Sequence, residues 1–324
     1  MNIKYSVFIS NVASCNDRYC SAYGRKFSIE EMFARVKSIP SISGVDIVLT
    51  EEFKKNLAVV KKCLKETGLT LASVAVDTFA NPIYQKGSFA AIDENVRQKA
   101  IEDAKFAIDF ASELGCKIVT LWPGQDGYDY MFAADYIKER KLFSDAVKEL
   151  CEYNKNIDIT LEYKLKEPRT HSYISTVGTT LMMLNDINCD NAGIALDYGH
   201  AVLGYENPAE SVAMCKMYGD RLRHIHINDN YGVWDDDMIV ANVHTIAYLE
   251  FLYWLKKTDY KGYITFDQFP YREDGRDAVS ESAEWMSYLI ELIDNADSKE
   301  IEKVIASGSP IEASKLIRKI LRGN

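Results

Sequence analysis

The sequence predicts an α/β protein, a (β/α)8 barrel with a C-terminal helical extension. Two observations predict it. Eight short apolar runs alternate with charged stretches of helical period along most of the chain, the order expected of a parallel sheet. Acids and imidazoles then fall at the ends of four successive runs, and a closed parallel barrel gathers its strand ends at one mouth. A doubly wound open sheet has a similar alternation, but the clustering of chemical residues at strand ends favours the barrel.

The strand candidates are residues 3–10, 44–49, 70–77, 117–123, 157–164, 192–198, 222–228 and 261–268, with helices expected over 95–114, 131–154 and 244–257. After residue 296 the chain is charged and helical in pattern, with Ser307, Gly308, Ser309 and Pro310 as a break. The barrel is therefore assigned to residues 1–296 and a helical tail, a candidate for subunit contacts, to 297–324. A length of 324 residues suits one such barrel, and 47% apolar residues suffice for a large core. The net charge of −10 argues against a nucleic-acid partner, which needs basic patches. No apolar run reaches roughly 18 residues, so no membrane span is expected. The first residues lack a signal-peptide pattern. Seven cysteines are an odd number without metal-type spacing, Cys15 and Cys20 being the closest pair. Reduced thiols in a cytoplasmic protein are the expectation.

The fifth run ends on Glu162 and Lys164, which share a strand face with Thr160. Taken alone, that pair also has a plain reading as an ion pair in the barrel mouth. The sixth run ends on Asp197, with His200 three residues on; a lone histidine there would read as a loop residue. The seventh carries His224 and His226 on one face, with Asp229 following. His226 is nearer the end, so His224 is expected to be a hydrogen-bonded core residue. The eighth closes on Asp267, an acid costly to bury unpaired. Four such endings in a row point to a shared cation, and their oxygen and imidazole donors suit Mg, Mn or Co. Beyond His226, Trp234 precedes Asp235, Asp236 and Asp237. This is either an exposed acidic loop or a grip for a second cation through Asp235 and Asp237, with Asp197 as the bridge.

These residues resemble the xylose isomerase-like TIM barrels, in particular xylose and L-rhamnose isomerases. Glu162, Lys164, Glu167 and Pro168 resemble the family's metal-ligand and lysine motif. Asp197 and His200 resemble its bridging acid and second-metal histidine. His226, Asn228 and Asp229 followed by Asp235 and Asp237 resemble the rhamnose-type ligand loop, and Phe266-Asp267-Gln268 the last metal-1 ligand. Trp122 resembles the tryptophan that walls the sugar pocket. The resemblance implies metal 1 on Glu162, Asp197, His226 and Asp267, and metal 2 on Asp197, His200, Asp235 and Asp237. It implies two divalent ions, Mn, Co or Mg with Zn as an option, and a dimer or tetramer. The implied reaction interconverts an aldose and a ketose by a metal-assisted hydride shift, with Lys164, Glu162 and Asp267 at the reacting centre. Lys164 would hydrogen-bond the oxygen on the sugar's first carbon, and Trp122, Glu167 and His200 would face a free monosaccharide. There is one departure. No histidine precedes residue 171, and Ala91 falls where the family's ring-opening histidine is expected. Asp77 or a bound water would take that role.

The first rival is a ketose 3-epimerase, which uses one metal and two acid/base carboxylates. Asp267 is short for the second of these, and Asp235 and Asp237 would then have no role. A nuclease of the endonuclease IV type would need more histidines and a basic groove. A non-catalytic sugar-binding barrel is the third rival, disfavoured by Lys164 beside Glu162. Phe8, Trp122, Tyr128 and Phe269 are expected to form an apolar wall for the sugar, and equally serve as core or lid packing. A phosphorylated substrate is not expected, since no Gly-rich phosphate loop is evident.

Overall fold

The computed structural model describes residues 1, 3–16 and 19–323. Eight parallel strands close a barrel: β1 Lys4–Phe8, β2 Ile42–Val48, β3 Thr70–Ala75, β4 Ile118–Leu121, β5 Asp158–Glu162, β6 Ala192–Asp197, β7 Leu222–Ile227 and β8 Tyr263–Phe266. Their order round the barrel follows the chain, and β1 pairs with β8 from Lys4 opposite Tyr263 to Val7 opposite Phe266. All eight expected strands are present, each within a few residues of its sequence-derived bounds.

Period-2 alternation sets the layers. Val7, Val45, Ile47, Val74, Val119, Ile159, Leu161, Ile225 and Ile264 are fully buried in the apolar core shared with the helices. The alternate positions Ser6, Asp46, Ser73, Thr120, Thr160, His224 and Thr265 are also fully buried, yet polar. They point into the lumen. Asp46 on β2 bonds His224 on β7, and these strands are not neighbours, so the bond crosses the barrel. Polar groups there satisfy one another, as burial demands.

Helix starts follow local chemistry. Asp93 caps Glu94–Glu113, and Asp135 caps Tyr136–Tyr153 through the Lys138 amide. The latter helix starts five residues later than expected from 131–154, because Phe132 takes a left-handed φ of 64° and Asp135 then begins the helix. Thr245–Lys257 matches its expectation. The tail forms two helices, Ser298–Ser307 and Pro310–Leu321. They are separated where Gly308 turns left-handed, Ser309 caps and Pro310 opens the second. Ile301 and Ile320 seat this extension on the barrel core. Among the described residues no helix is long and apolar enough to cross a membrane. None of the seven cysteines is joined in a disulfide among the described residues.

Candidate metal centre

The end of β5 delivers Glu162, the end of β6 Asp197 and the upper part of β7 His226, while Asp267 follows β8 directly. Register brings them level. Asp197 lies opposite His226 on the next strand, and His226 opposite Thr265. One donor atom from each of Glu162, Asp197, His226 and Asp267 lies within 4.8 Å of all the others. His226 Nδ1 is 3.2 Å from Glu162 Oε1 and 3.8 Å from Asp267 Oδ2. The ring is fully buried, yet neither of its nitrogens makes a hydrogen bond.

Three carboxylates and an unsatisfied imidazole at this separation fit one divalent cation. Without a cation, like charges must be relieved by protons. Burial, aided by Glu162 and Asp197, pushes Asp267 up to about 7 against the pull of His226. Burial opposes charge on His226, but Glu162, Asp267 and Asp46 outweigh it and hold the ring up at about 10. Burial also raises the Asp197 carboxyl. Asp197 Oδ1 caps the following turn by accepting the His200 amide at 2.8 Å, and Asn228 donates to both Asp197 oxygens at 3.3 and 3.1 Å. Asn11 donates to Asp267 Oδ1 at 3.2 Å. A Cβ at Gly199 would collide with Asn228 Oδ1, so only glycine admits this bracing.

The second expected set gathers differently. His200 places Nδ1 2.9 Å from the Tyr163 carbonyl and Nε2 3.1 Å from Asp235 Oδ2. Lys164 Nζ sits 2.8 Å from the same Asp235 oxygen and 2.5 Å from Glu167 Oε2. Burial alone would lower this ammonium, but Asp235, Glu167 and Asp237 outweigh it and hold it well above the usual lysine range. Asp237 is half-buried at a left-handed φ of 49°, and burial with Asp235 and Asp267 raises its carboxyl. Asp197, His200, Asp235 and Asp237 thus share one neighbourhood. Among the described residues, though, they form no second four-donor cluster, and Asp235 is paired with the Lys164 ammonium instead.

These groups open into a cavity of about 970 Å³ lined by Glu162, Lys164, Glu167, His200, Asp235, Asp237 and Asp267. Phe8, Phe79, Trp122 and Phe269 form its apolar wall. Lys164 Nζ stands 5.1 Å from the Trp122 ring, which packs 4.5 Å from Phe79. Asp197 and His226 lie beneath, closed from solvent.

Three expectations are corrected. Tyr128 is not in the lining; it stacks on His171 at 4.6 Å, where Gly127–Tyr128 pairs antiparallel with His171–Ser172. Asp77 also stands outside the lining. Its carboxylate turns back to accept the Ala80 amide at 3.1 Å, and Val48 at the end of β2 lines the cavity. Asp229 turns away from the centre, because β7 ends at Ile227 and the chain bends there. Its carboxylate accepts the Val243 and His244 amides at 2.8 and 3.0 Å and lies 2.7 Å from His244 Nδ1, fixing the start of the next helix. His224 is a hydrogen-bonded core residue, as expected from its position. Asp46, its partner, carried no signal in the sequence beyond being an acid inside an apolar run.

The chain matches the family described as Xylose isomerase-like TIM barrel over residues 41–289. A xylose isomerase of Thermus thermophilus is 28% identical over 227 residues, covering 68% of this chain and 58% of that protein. The chain thus spans less than two thirds of that relative's length. Among solved structures, a D-tagatose 3-epimerase-like protein superposes with a TM-score of 0.72 at 23% identity, covering 90% of this chain and 98% of that one. A D-allulose 3-epimerase from Methylomonas sp. gives a TM-score of 0.68 at 20% identity, with 88% and 96% covered. An L-ribulose 3-epimerase gives 0.71 at 13% identity, with 95% and 100% covered. At these identities the solved structures share the fold.

Proposed function

On the premise that the chain belongs to the xylose isomerase-like TIM barrel family, we propose that it is a divalent-metal-dependent ketol isomerase acting on a free monosaccharide. Glu162, Asp197, His226 and Asp267 would hold the cation, which when bound polarises adjacent sugar oxygens as a Lewis acid. Mn, Co and Mg all suit this donor set, and Zn is an option.

One observation carries the reading: the buried Lys164 ammonium between Asp235 and Glu167, over Trp122 and beside Glu162. In an aldose–ketose interconversion, negative charge grows on the oxygen of the first carbon as hydrogen passes from the neighbouring carbon. A fixed ammonium in a site shielded from water stabilises that charge. Glu167 and Asp235 keep Lys164 charged and in place. Trp122 and Phe79 give the sugar a flat apolar face and exclude water. An open-chain substrate suits the absence of an early histidine.

A ketose 3-epimerase is the second reading. It is favoured by the one four-donor cluster found among the described residues and by the solved 3-epimerase structures that share this fold. Glu162 on β5 and Asp267 after β8 would then be the acid/base pair. Conversion of a sugar panel in heavy water separates the two. A hydride shift leaves the product mostly unlabelled on carbon, whereas proton abstraction at the third carbon introduces deuterium there. Extensive label at that carbon would sink the isomerase, and no conversion of any sugar would sink both. A dimer or tetramer with the tail helices at its contacts belongs to the same proposal.

A further inference from the structure

His226 enters the donor cluster without a hydrogen bond of its own, so something else must fix its ring. Two rings clamp it. Phe8 meets it edge-on at 4.9 Å and 71°, and His224 meets it at 5.0 Å and 89°. Its Nδ1 faces Glu162, while Nε2 faces down the lumen toward Asp46 Oδ2, 3.9 Å away.

Asp46 is fully buried, and no lysine or arginine pairs with it among the described residues. An anion in that position is costly unless imidazoles and hydroxyls compensate it. They do. Its carboxylate accepts the His224 Nε2–H at 2.7 Å, the Thr265 hydroxyl at 3.1 Å and the Ser73 hydroxyl. Thr265 Oγ1 also lies 3.0 Å from His224 Nε2 and 2.7 Å from Ser6 Oγ. Residues of five strands thus hold one carboxylate and one imidazole directly behind the candidate ligand. A purely structural lumen would be filled more cheaply with aliphatic side chains.

We propose that Asp46 and His224 are a positioning pair for His226: the buried negative charge of Asp46, 3.9 Å from Nε2, favours the hydrogen on that nitrogen, and the His224 edge fixes the ring plane, so that the Nδ1 lone pair is presented to a divalent cation. This rests on the cation reading of the quartet above. A carboxylate behind a metal-binding imidazole orients it and selects its tautomer, and loss of such a partner typically weakens binding by ~10–100-fold.

The test uses full-length protein stripped with chelator, titrated with Mn²⁺ alone by calorimetry, and ¹⁵N-histidine spectra of the Zn²⁺-loaded form. In the wild type, cation binding and a His226 signal with Nε2 protonated and Nδ1 ligated are expected. In Asp46→Asn, binding should weaken by ~10–100-fold and the signal should shift toward mixed ligation, with the far-UV spectrum unchanged. Unchanged affinity and an unchanged His226 signal would overturn the pair's role while leaving the quartet intact. If Asp46→Asn does not fold, Thr265→Val decides, since it removes one hydroxyl from the carboxylate and nothing from the quartet. Weakened binding there supports the proposal, and wild-type binding overturns it. A wild type that binds no cation would sink the metal-centre reading itself, and this inference with it.

Discussion

Lys164 Nζ lies 2.8 Å from Asp235 Oδ2, which ties the end of β5 to the loop after β7 by a buried charge pair. The same oxygen is 3.1 Å from His200 Nε2. Both charges on Asp235's partners hold its carboxyl well below the usual range although burial opposes this. The pair therefore fixes, in one contact, the Lys164 ammonium and the loop that carries Asp237.

Lys164→Met keeps the stem and removes the charge. It leaves Asp235 buried beside His200 alone, and breaking a buried pair from one side costs about 3–5 kcal/mol. A lowered melting temperature and a fall in turnover of at least ~100-fold are expected, with cation binding at the quartet retained. Normal turnover in this variant would reduce the lysine to an ion-pair partner.

Asp197→Asn removes the carboxylate that faces both the quartet and His200. The quartet loses one of three anions, and the cation affinity measured by calorimetry should fall by orders of magnitude. Full cation occupancy in this variant would contradict its place as a ligand and as a bridge.

Changing Asp235 and Asp237 together to Asn separates one cation from two. Cation stoichiometry of wild type and variant is the measurement. If a second cation displaces Lys164 from Asp235 in the loaded protein, the variant loses one equivalent and most of its turnover. If stoichiometry is one in both and turnover is unchanged, the loop carries no cation and the 3-epimerase reading gains.

Cation binding should release protons and strengthen as pH rises. In the metal-free centre His226 is held up at about 10 and Asp267 at about 7, so both carry protons below neutrality. A cation must displace them. Affinity should therefore drop as pH falls from 8 to 6, and with it the gain in melting temperature that a saturating cation confers. Affinity independent of pH over that range would show that these groups are not the ligands.

The four strand endings were legible because a strand has period 2 and an acid after an apolar run is an anomaly in itself. What escaped depended on where the chain turns. Asp229 follows His226 by three positions, but β7 has ended by then and its carboxylate serves the next helix instead. Tyr128 faces His171 because a two-residue ladder twists it out of the cavity. Asp77 is expected at the end of the third strand as a substitute for the ring-opening histidine, yet β3 stops at Ala75 and the carboxylate closes a local turn. Asp46 was invisible as a partner because His224 lies 178 positions away, and no local pattern predicts a bond across a lumen. The tail's break at Gly308 was readable because glycine, a capping serine and proline in sequence have few other uses.

Gly199→Ala would push Asn228 off Asp197, since a Cβ meets the amide directly. A lower melting temperature and weakened cation binding should appear together. A stable variant with full binding would show that Asn228 can move without cost.

Closure of β1 on β8 also has a consequence for synthesis of the chain. Ser6 and Thr265 share a hydrogen bond across 259 positions. At ribosomal speeds of about 5–20 residues per second, β1 waits on the order of 10–50 s for the strand that completes its edge. Throughout that interval the first strand has an open flank, and Asn11 has no Asp267 to meet. The nascent barrel is therefore most exposed to misassembly at its first strand, and the candidate cation centre can close only once β8 has emerged.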